Sequence, residues 1–220
     1  ASDVYKRQDA MEGTLFGEDH NFNGISIDTR TINIGELFFA LKGLNFDGHE
    51  FIEDAHLNGA IASVVSNESP DKTIKIKVDD TRLALGKFGA AWRRTYDPCV
   101  VGITGSNGKT TLKELVAACL STKAPALSTY KNYNNEIGIP LMLTQIKKEH
   151  EYAVFEMGAN HSGEIAYLSS LVNPDIVVIT NAAAAHLEGF GSVKGVAHAK
   201  GEILETCLLY TSPSPRDATL

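Results

Sequence analysis

The chain has 220 residues, of which 43% are hydrophobic and 21% are charged, and its formal net charge at pH 7 is −7. No apolar run is long enough to span a membrane, so a soluble globular protein without a membrane partner is expected. An acidic chain without a basic block also argues against nucleic acid as the main partner. The few cysteines lack metal or redox spacing, which indicates a reducing compartment and makes the cytoplasm the expected location.

The two ends of the chain are expected to be translated adapter sequence. Codons for Asp3–Gln8 can be chosen so that their reverse complement, read one base out of frame, encodes Cys207–Ser212. The two strands of one DNA segment have no reason to encode both ends of a natural domain. Residues 1–8 and 207–220 are therefore left out of the fold prediction, which then concerns residues 9–206.

Residues 9–81 alternate short apolar runs with turns and one helical stretch. A helix is expected from His49 to Asn58, ended by Gly59. Strands are expected where apolar residues are continuous or alternate with period two, at 25–28, 37–41, 61–65 and 74–78. This part of the chain is therefore predicted to be a small N-terminal α/β domain.

Residues 82–206 are predicted to form a second domain with longer βαβ units. Helices are expected at 82–96, 109–122, 162–172 and from 192, and strands at 99–104, near 127–128, at 152–157 and at 175–180. Strands that alternate with helices imply a mostly parallel sheet covered on both faces. Ligands bind such sheets at the carboxyl ends of the strands.

A glycine-rich loop lies between the first strand and helix of this second domain. Its residues are Gly105, Ser106, Asn107, Gly108, Lys109, Thr110 and Thr111. The strict pattern G-x-x-x-x-G-K-[ST] would need glycine where Ile103 stands, but the apolar strand before the loop and the helix after it fit a phosphate-binding loop. The alternative is a glycine-rich turn with a chance Lys-Thr pair.

Each part of this loop has a physical role toward an anion. Gly105 and Gly108 allow the backbone N–H groups to turn toward a phosphate, and the helix that begins near Lys109 adds its positive end. The Lys109 ammonium is expected to reach the β- and γ-phosphates of ATP, and the Thr110 hydroxyl to hold Mg²⁺.

A carboxylate from a neighbouring strand is needed to help hold such a metal. Glu156 stands at the carboxyl end of the apolar run Tyr152–Phe155. A carboxylate in that place is costly to bury unless it is paired or bound to metal. Glu156 is therefore predicted to be a magnesium ligand, with a structural salt bridge as the alternative.

Several segments together resemble the Mur ligases, the ATP-dependent amide-forming enzymes of peptidoglycan precursor synthesis. They cover nearly all of residues 9–206 in order, and the central ones are Gly105–Thr110, Lys131–Pro140, Phe155–His161, Asn181–Gly191 and Ala199–Glu202. The stretches NNEIGIP and HLEGFGS resemble the branch of the family that adds D-Ala-D-Ala. The upstream stretches Asp28–Arg30, Phe39–Gly43 and Phe46–His49 resemble the family's domain for the UDP-sugar.

This resemblance implies a ligation in two steps. The terminal carboxylate of UDP-MurNAc-tripeptide would attack the γ-phosphate of ATP and form an acyl phosphate, and the amine of D-Ala-D-Ala would then attack that carbonyl. The site needs concentrated positive charge, because a carboxylate must approach a triphosphate of the same sign. The implied fold is α/β, with a small N-terminal α/β substrate domain followed by an incomplete P-loop ATPase-type parallel sheet domain.

The resemblance also assigns two further residues to the site. His186 matches the histidine that helps the family bind a second magnesium ion, although a histidine there could also only cap a turn. Lys200 matches the lysine that the Mur ligases carbamylate, and a carbamate would turn a cation into an anionic metal ligand. Together with Lys109, these two residues are the expected catalytic groups.

Substrate contacts are expected from two other parts of the chain. Asn134 and Asn135 are candidates for contact with substrate or phosphate, with helix capping as the alternative. The candidates for the UDP-sugar region are Asp28, Thr29, Arg30, Lys42 and His49. By charge, Arg30 and Lys42 are the best candidates for the diphosphate.

The sequence leaves other functions open. A Mur ligase has three domains, so residues 9–206 are expected to stop inside the central one and not to catalyse ligation alone. The alternatives are another Mur ligase or a folylpolyglutamate synthetase-like ligase, or a non-catalytic Mur-ligase-like subunit that binds a nucleotide. A P-loop kinase or GTPase is disfavoured by the short loop and the missing guanine-reading motif. A monomer is expected.

Overall fold

The computed structural model of the chain describes residues 9–67 and 73–206, together with the backbone of Ser2–Asp3. The remaining residues of the two adapter-like ends lie outside this description. The strands are β1 Ser2–Asp3, β2 Thr14–Phe16, β3 Asn21–Phe22, β4 Gly24–Ser26, β5 Glu36–Phe39, β6 Ala62–Val65, β7 Lys75–Lys77, β8 Cys99–Thr104, β9 Ala126–Ser128, β10 Tyr152–Glu156 and β11 Ile176–Ile179.

The α-helices are α1 Ile52–Leu57, α2 Thr81–Arg93, α3 Lys109–Ser121, α4 Gly138–Leu143, α5 Glu164–Val172, α6 Leu187–Phe190 and α7 Val193–Gly201. Short 3-10 helices at Gly48–Phe51 and Glu202–Glu205 precede α1 and follow α7. Among the described residues, no helix combines the length and the hydrophobicity that crossing a bilayer requires.

The chain divides into two compact units. The first contains Ala1–Asp97 and Thr129–Glu149, and the second contains Pro98–Ser128 and His150–Leu220. Helix α2 and the segment 129–149 therefore belong to the first unit. The sequence suggests a domain boundary between residues 81 and 82, whereas the first segment of the first compact unit ends at Asp97. Compact units and domains need not coincide, so the boundary at 81 and 82 stays a prediction.

The first unit is built on a sheet with strand order β2-β7-β6-β5-β4. Strands β4, β5, β6 and β7 are parallel to one another. The edge strand β2 pairs antiparallel with β7. Successive residues of β5 are buried on opposite faces, because Leu37 and Phe39 pack in one core cluster with Phe88 of α2 while Phe38 packs in another with Ile52 of α1. This two-sided burial explains the continuous apolar run in the sequence.

The second unit contains a parallel sheet with strand order β11-β8-β10-β9. Helix α3 covers one part of it, with Ala117 packed against Val101, Ile103 and Val154. In the strand register, Glu156 of β10 lies beside Ile103 of β8, and Ile179 of β11 lies beside Thr104. The residues that follow β8, β10 and β11 therefore leave the sheet at one edge. This α/β architecture with parallel sheets confirms the predicted fold class.

Most predicted elements are present with shifted ends, and a few were missed. The helix expected at 49–58 is a 3-10 turn followed by α1, and the one expected at 82–96 is α2, which begins at Thr81 because the Asp80 carboxylate caps it. The sequence analysis missed β2, β3, α4 and α6. Helix α4 is hard to predict because it begins with the sequence Gly-Ile-Pro, a poor helix signal.

Candidate functional site

The loop between β8 and α3 has the backbone conformation for which its glycines are needed. Gly105 has φ +142° and Gly108 has φ +79°. A Cβ on Gly105 would overlap the Thr180 hydroxyl, whereas a Cβ on Gly108 would meet nothing within 4 Å. Gly105 is therefore required both by its backbone angle and by close packing, and Gly108 by its backbone angle alone.

Lys109 and Thr110 begin helix α3 and point to different partners. The Lys109 ammonium donates to the carbonyl of Gly105 at 2.8 Å, so the side chain folds back over the loop. The Thr110 hydroxyl donates to the Glu156 carboxylate at 2.8 Å. Glu156 is 3% exposed. The structure thus brings together the hydroxyl and the carboxylate that the sequence places 46 residues apart.

The segment after β11 fastens the loop, a role that the sequence reading did not assign. Asn181 accepts the Asn107 N–H with its side-chain oxygen at 3.1 Å and the Ser106 N–H with its carbonyl at 3.0 Å. The Thr180 hydroxyl donates to the Asn107 carbonyl at 2.7 Å, and the Ser106 hydroxyl accepts the Ala183 N–H at 3.0 Å. The adjacent parallel pairing of β8 and β11 is the signal that could have predicted these contacts.

Lys200 of α7 is almost fully buried, with 3% of its surface exposed. Its ammonium lies 3.4 Å from the carbonyl of Ala159 and 5.3 Å from the ring centre of Phe190. Burial lowers the pKa of Lys200 from its ordinary value, and the positive charge of Lys109 lowers it further, against the opposing effect of Glu164. A buried lysine with a lowered pKa is a better nucleophile than an exposed one.

His186 precedes helix α6 with φ +52°, a left-handed conformation that is uncommon for residues other than glycine. Its side chain is exposed. It lines a cavity of about 640 Å³ together with Asn160, His161 and the first residues of α6. The structure therefore places His186 on the wall of a cavity and not inside a formed ligand cluster.

Thr110 and Glu156 are suited to an open magnesium site, in which the protein supplies few ligands, and not to a site closed by protein ligands alone. In residues 9–67 and 73–206, no group of three or more His, Cys, Asp and Glu side chains is placed to hold one metal ion. Magnesium characteristically uses one or two protein oxygens and takes its other ligands from phosphate and water. A hydroxyl and a carboxylate that already touch provide such a pair.

The candidates for the sugar region lie in the first unit, after the carboxyl ends of β4 and β5. Arg30 makes a two-pronged contact with Asp28, with its Nη2 atom 2.6 Å from Oδ2 and its Nε atom 2.9 Å from Oδ1. This hydrogen bonding lowers the pKa of Asp28 to about 2. The carbonyl of Thr29 accepts a hydrogen bond from the Asn58 amide at 3.0 Å.

Lys42 and His49 share Asp47 as a partner. The Lys42 ammonium is 3.6 Å from Asp47 Oδ2, and His49 Nδ1 is 2.6 Å from Asp47 Oδ1. His49 Nε2 accepts the backbone N–H of Ser66 at 2.9 Å, which assigns the proton to Nδ1. Both ring nitrogens of His49 thus have protein partners, so its predicted substrate contact would have to use ring carbons.

Asn134 and Asn135 also belong to the first unit. The side-chain oxygen of Asn135 accepts the backbone N–H groups of Ile137 at 3.2 Å and Gly138 at 2.8 Å, at the start of α4. Asn135 therefore binds the turn that leads into α4, a contact in keeping with the capping alternative left open by the sequence. The contacts of both asparagines with substrate stay predictions.

Two family models match the chain. The model of the Mur ligase middle domain matches residues 103–210, and the model described as the Mur ligase family catalytic domain matches residues 21–93. The UDP-N-acetylmuramoyl-tripeptide–D-alanyl-D-alanine ligase of Escherichia coli (strain K12) is 48% identical over 196 residues. This match covers 89% of the chain and 43% of the relative.

Solved structures agree with these matches. The crystal structure of MurF from Acinetobacter baumannii superposes with a TM-score of 0.87 at 40% identity, over 93% of this chain and 46% of that one. The crystal structure of MurF ligase from Thermotoga maritima in complex with ADP gives 0.80 at 35% identity, over 84% and 44%. The chain thus spans less than half the length of the relatives it matches. By both family models and both kinds of relative, the chain belongs to the Mur ligase family.

Proposed function

We propose that the protein to which this chain belongs is an ATP-dependent ligase that joins D-Ala-D-Ala to UDP-MurNAc-tripeptide in peptidoglycan precursor synthesis. The names of the relatives support this choice of substrates, and the ADP complex of the Thermotoga maritima ligase supports a nucleotide as ligand. The protein would be cytoplasmic and monomeric. Because the chain is acidic, it would have no nucleic-acid partner.

The observation that carries the proposal is the contact between the Thr110 hydroxyl and the Glu156 carboxylate at 2.8 Å, beside a glycine loop that opens helix α3. This arrangement can hold the magnesium of a metal–triphosphate complex. A bound magnesium supplies positive charge that lets a carboxylate approach the γ-phosphate. The N–H groups of Gly108 to Thr111 would face the phosphates, and the Lys109 ammonium would leave the Gly105 carbonyl to pair with them.

His186 and Lys200 would hold a second magnesium ion, whose charge would add to that of Lys109 and the first magnesium. A carbamate on Lys200 would present an anionic oxygen toward a second magnesium ion, with His186 as its nitrogen ligand. The lowered pKa of Lys200 supports this role, because only a neutral amine reacts with CO₂. The ion count and the carbamate both belong to the proposal.

The first unit would hold the UDP-sugar part of the substrate at the carboxyl ends of its parallel strands. Arg30 and Lys42 have exposed side chains, 85% and 74%, and each pairs with a neighbouring carboxylate, Asp28 or Asp47. They could turn toward a diphosphate at small cost. The N-terminal domain over residues 9–81 and the central domain over residues 82–206 are proposed on the same basis.

The test is ADP release by the full-length protein with magnesium, ATP and UDP-MurNAc-tripeptide. Release that requires D-Ala-D-Ala is the expected result. Release that instead requires a single amino acid and a shorter precursor would assign the protein to a sister ligase. A protein that binds ATP but releases no ADP with any of these substrates would contradict the proposal and favour a non-catalytic nucleotide-binding subunit.

A further inference from the structure

A histidine and a glutamate next to the proposed site form a fixed pair. His161 Nδ1 lies 3.1 Å from Glu164 Oε1. The other carboxylate oxygen accepts the backbone N–H of Asn160 at 2.7 Å and that of His161 at 3.3 Å. The carboxylate is thus held by the loop that follows β10, and it in turn fixes the orientation of the imidazole ring.

The hydrogen bonds decide which ring nitrogen is available. Burial of Glu164 opposes its ionisation, but the bonds from Asn160 and His161 outweigh burial and keep its pKa below the ordinary value. Glu164 is therefore a carboxylate at neutral pH and needs a donor, which assigns the ring proton to Nδ1 of His161. The lone pair of Nε2 is left for a proton from another group.

The pair lies on the wall of the cavity that also contains His186. The cavity of about 640 Å³ is lined by Asn160, His161 and residues 186–189. A Cβ on Gly189 would overlap the Asn160 carbonyl, so the two loops are in close contact. The Lys200 ammonium lies 3.4 Å from the carbonyl of Ala159, two residues before His161, so the pair lies near the proposed site. His161 is 68% exposed, so the ring is accessible.

We propose that His161, oriented by Glu164, accepts the proton of the attacking amine in the second half of the ligation, an inference that rests on the function proposed above. The amino group of a dipeptide is largely an ammonium ion at neutral pH and cannot attack in that form. A positioned general base removes this obstacle inside the site. Glu164 would then stabilise the imidazolium that forms.

The step balances. His161 Nε2 takes one proton from the ammonium, and the amine attacks the acyl carbonyl. The C–N bond forms while the C–O bond to phosphate breaks, and a second amine proton leaves with the phosphate as hydrogen phosphate. The products are the amide, hydrogen phosphate and an imidazolium, which returns its proton to solvent through the open cavity.

Other charged groups near His161 also influence this proton transfer. Glu188 and His186 line the same cavity on the side of α6. Glu202, after α7, binds the N–H groups of Gly163 at 2.8 Å and Ala166 at 3.2 Å. Glu164 is the group in direct contact with the ring, with 3.1 Å between Oε1 and Nδ1.

The experiment separates the two half-reactions in the full-length protein. Isotope exchange between ADP and ATP, with UDP-MurNAc-tripeptide but without dipeptide, reports the first step alone. Ligation with D-Ala-D-Ala, followed from about pH 6 to about pH 9 across the amine pKa near 8, reports both steps. The variants are His161→Gln and Glu164→Gln. The matched control is His20→Gln, because His20 is a partly exposed histidine of the first unit near a glutamate, with 3.9 Å between His20 Nε2 and Glu18.

We expect His161→Gln to leave the exchange unchanged and to slow ligation at pH 7 by about 100-fold or more, which is the usual contribution of a general base. The loss should shrink as the pH rises toward about 8, because the amine then loses its proton in solution. Glu164→Gln, which keeps a hydrogen-bond acceptor, should lose about tenfold in ligation only.

An equal loss of exchange and ligation would overturn the inference, because it would show a role in phosphate binding or in folding. Unchanged ligation would overturn it as well. If the unaltered full-length protein showed neither exchange nor ligation, the proposed function itself would be refuted. This outcome differs from failure of the His161 inference, because it is seen without any substitution.

Discussion

At the scale of single residues, the site depends on side chains that are far apart in sequence and share one hydrogen bond. The Thr110 hydroxyl and the Glu156 carboxylate were both named from the sequence, since each ends or follows a recognisable element. Their contact at 2.8 Å depends on the pairing of β8 with β10, which no local pattern encodes. The pairing of His161 with Glu164 escaped prediction for the opposite reason: a loop histidine three residues before a glutamate that begins a helix has no signal of its own.

Thr110 provides the sharpest test at this scale. Thr110→Val keeps the shape of the side chain and removes the hydroxyl, and we expect it to lower kcat/KM for magnesium-ATP on the order of 100-fold. Thr110→Ser keeps the hydroxyl and is the matched control, with a much smaller loss. Steady-state ADP release measures both. Equal activity of the valine and serine variants would show that the hydroxyl is not a metal ligand.

The Asp28–Arg30 contact predicts a pH dependence in the first unit. The pKa of Asp28 is lowered to about 2 in the folded protein, from an ordinary value of 3.8. A lowered pKa means that the ionised carboxylate stabilises the folded state above about pH 3.8, and that this contribution is lost as the pH falls through about 2. The effect on stability is small, because Arg30 is mostly exposed.

An NMR titration of the Asp28 carboxyl carbon measures this shift directly. In Arg30→Gln the midpoint should return toward 3.8, because the side-chain hydrogen bond from Arg30 is the largest cause of the shift. The Glu53 carboxyl, which belongs to α1 in the same unit, serves as an internal reference. A midpoint for Asp28 that does not change in the variant would contradict the ion pair.

At the scale of elements, capping residues set boundaries that periodicity cannot. Helix α2 begins one residue before its expected start because the Asp80 side chain accepts the N–H groups of Arg82 at 2.7 Å and Leu83 at 2.9 Å. Helix α4 was missed although the Asn135 side chain accepts the N–H groups of Ile137 and Gly138 where the helix begins. A cap is informative only when a periodic apolar pattern follows, and Gly138–Leu143 is too short to show one.

The cap of α2 leads to a stability prediction. Asp80→Ala removes the acceptor for two N–H groups at the helix start, and it should lower the free energy of unfolding by about 1 kcal/mol. The neighbouring exposed residue provides a matched control: Asp79→Ala removes the same charge without removing the cap. Urea unfolding of both variants, with the unaltered chain alongside, gives the comparison. An equal loss in the two variants would point to net charge as the cause.

At the scale of the whole molecule, the chain forms two compact units. The sequence predicted two α/β parts correctly in class, because strand–helix alternation is a local pattern. It could not show that residues 129–149 return to the first unit. That return is decided by long-range packing, such as the Trp92 indole N–H that donates to the Ile146 carbonyl at 2.9 Å.

The division into two units predicts which amide groups a bound nucleotide protects from hydrogen exchange. Magnesium-ATP at about 100 times its dissociation constant stabilises the part that binds it by about 2.7 kcal/mol. Amide hydrogen exchange should therefore slow in the loop Gly105–Thr111 and in the residues after β10 and β11, with little change in β4 to β7. ADP without magnesium serves as the weaker-binding control. Slower exchange confined to the first unit would contradict the assignment of the nucleotide to the second.

The return of residues 129–149 to the first unit has a consequence for synthesis on the ribosome. Helix α4 packs against α2 so closely that its Pro140 backbone lies where a side chain on Gly89 would be. Until the segment emerges, that face of α2 is uncovered. At about 5–20 residues per second, the roughly 50 residues after Asp97 take several seconds to appear. The loop with Lys109 and Thr110 leaves the ribosome during this interval, so this loop of the second unit is synthesised before the first unit is complete.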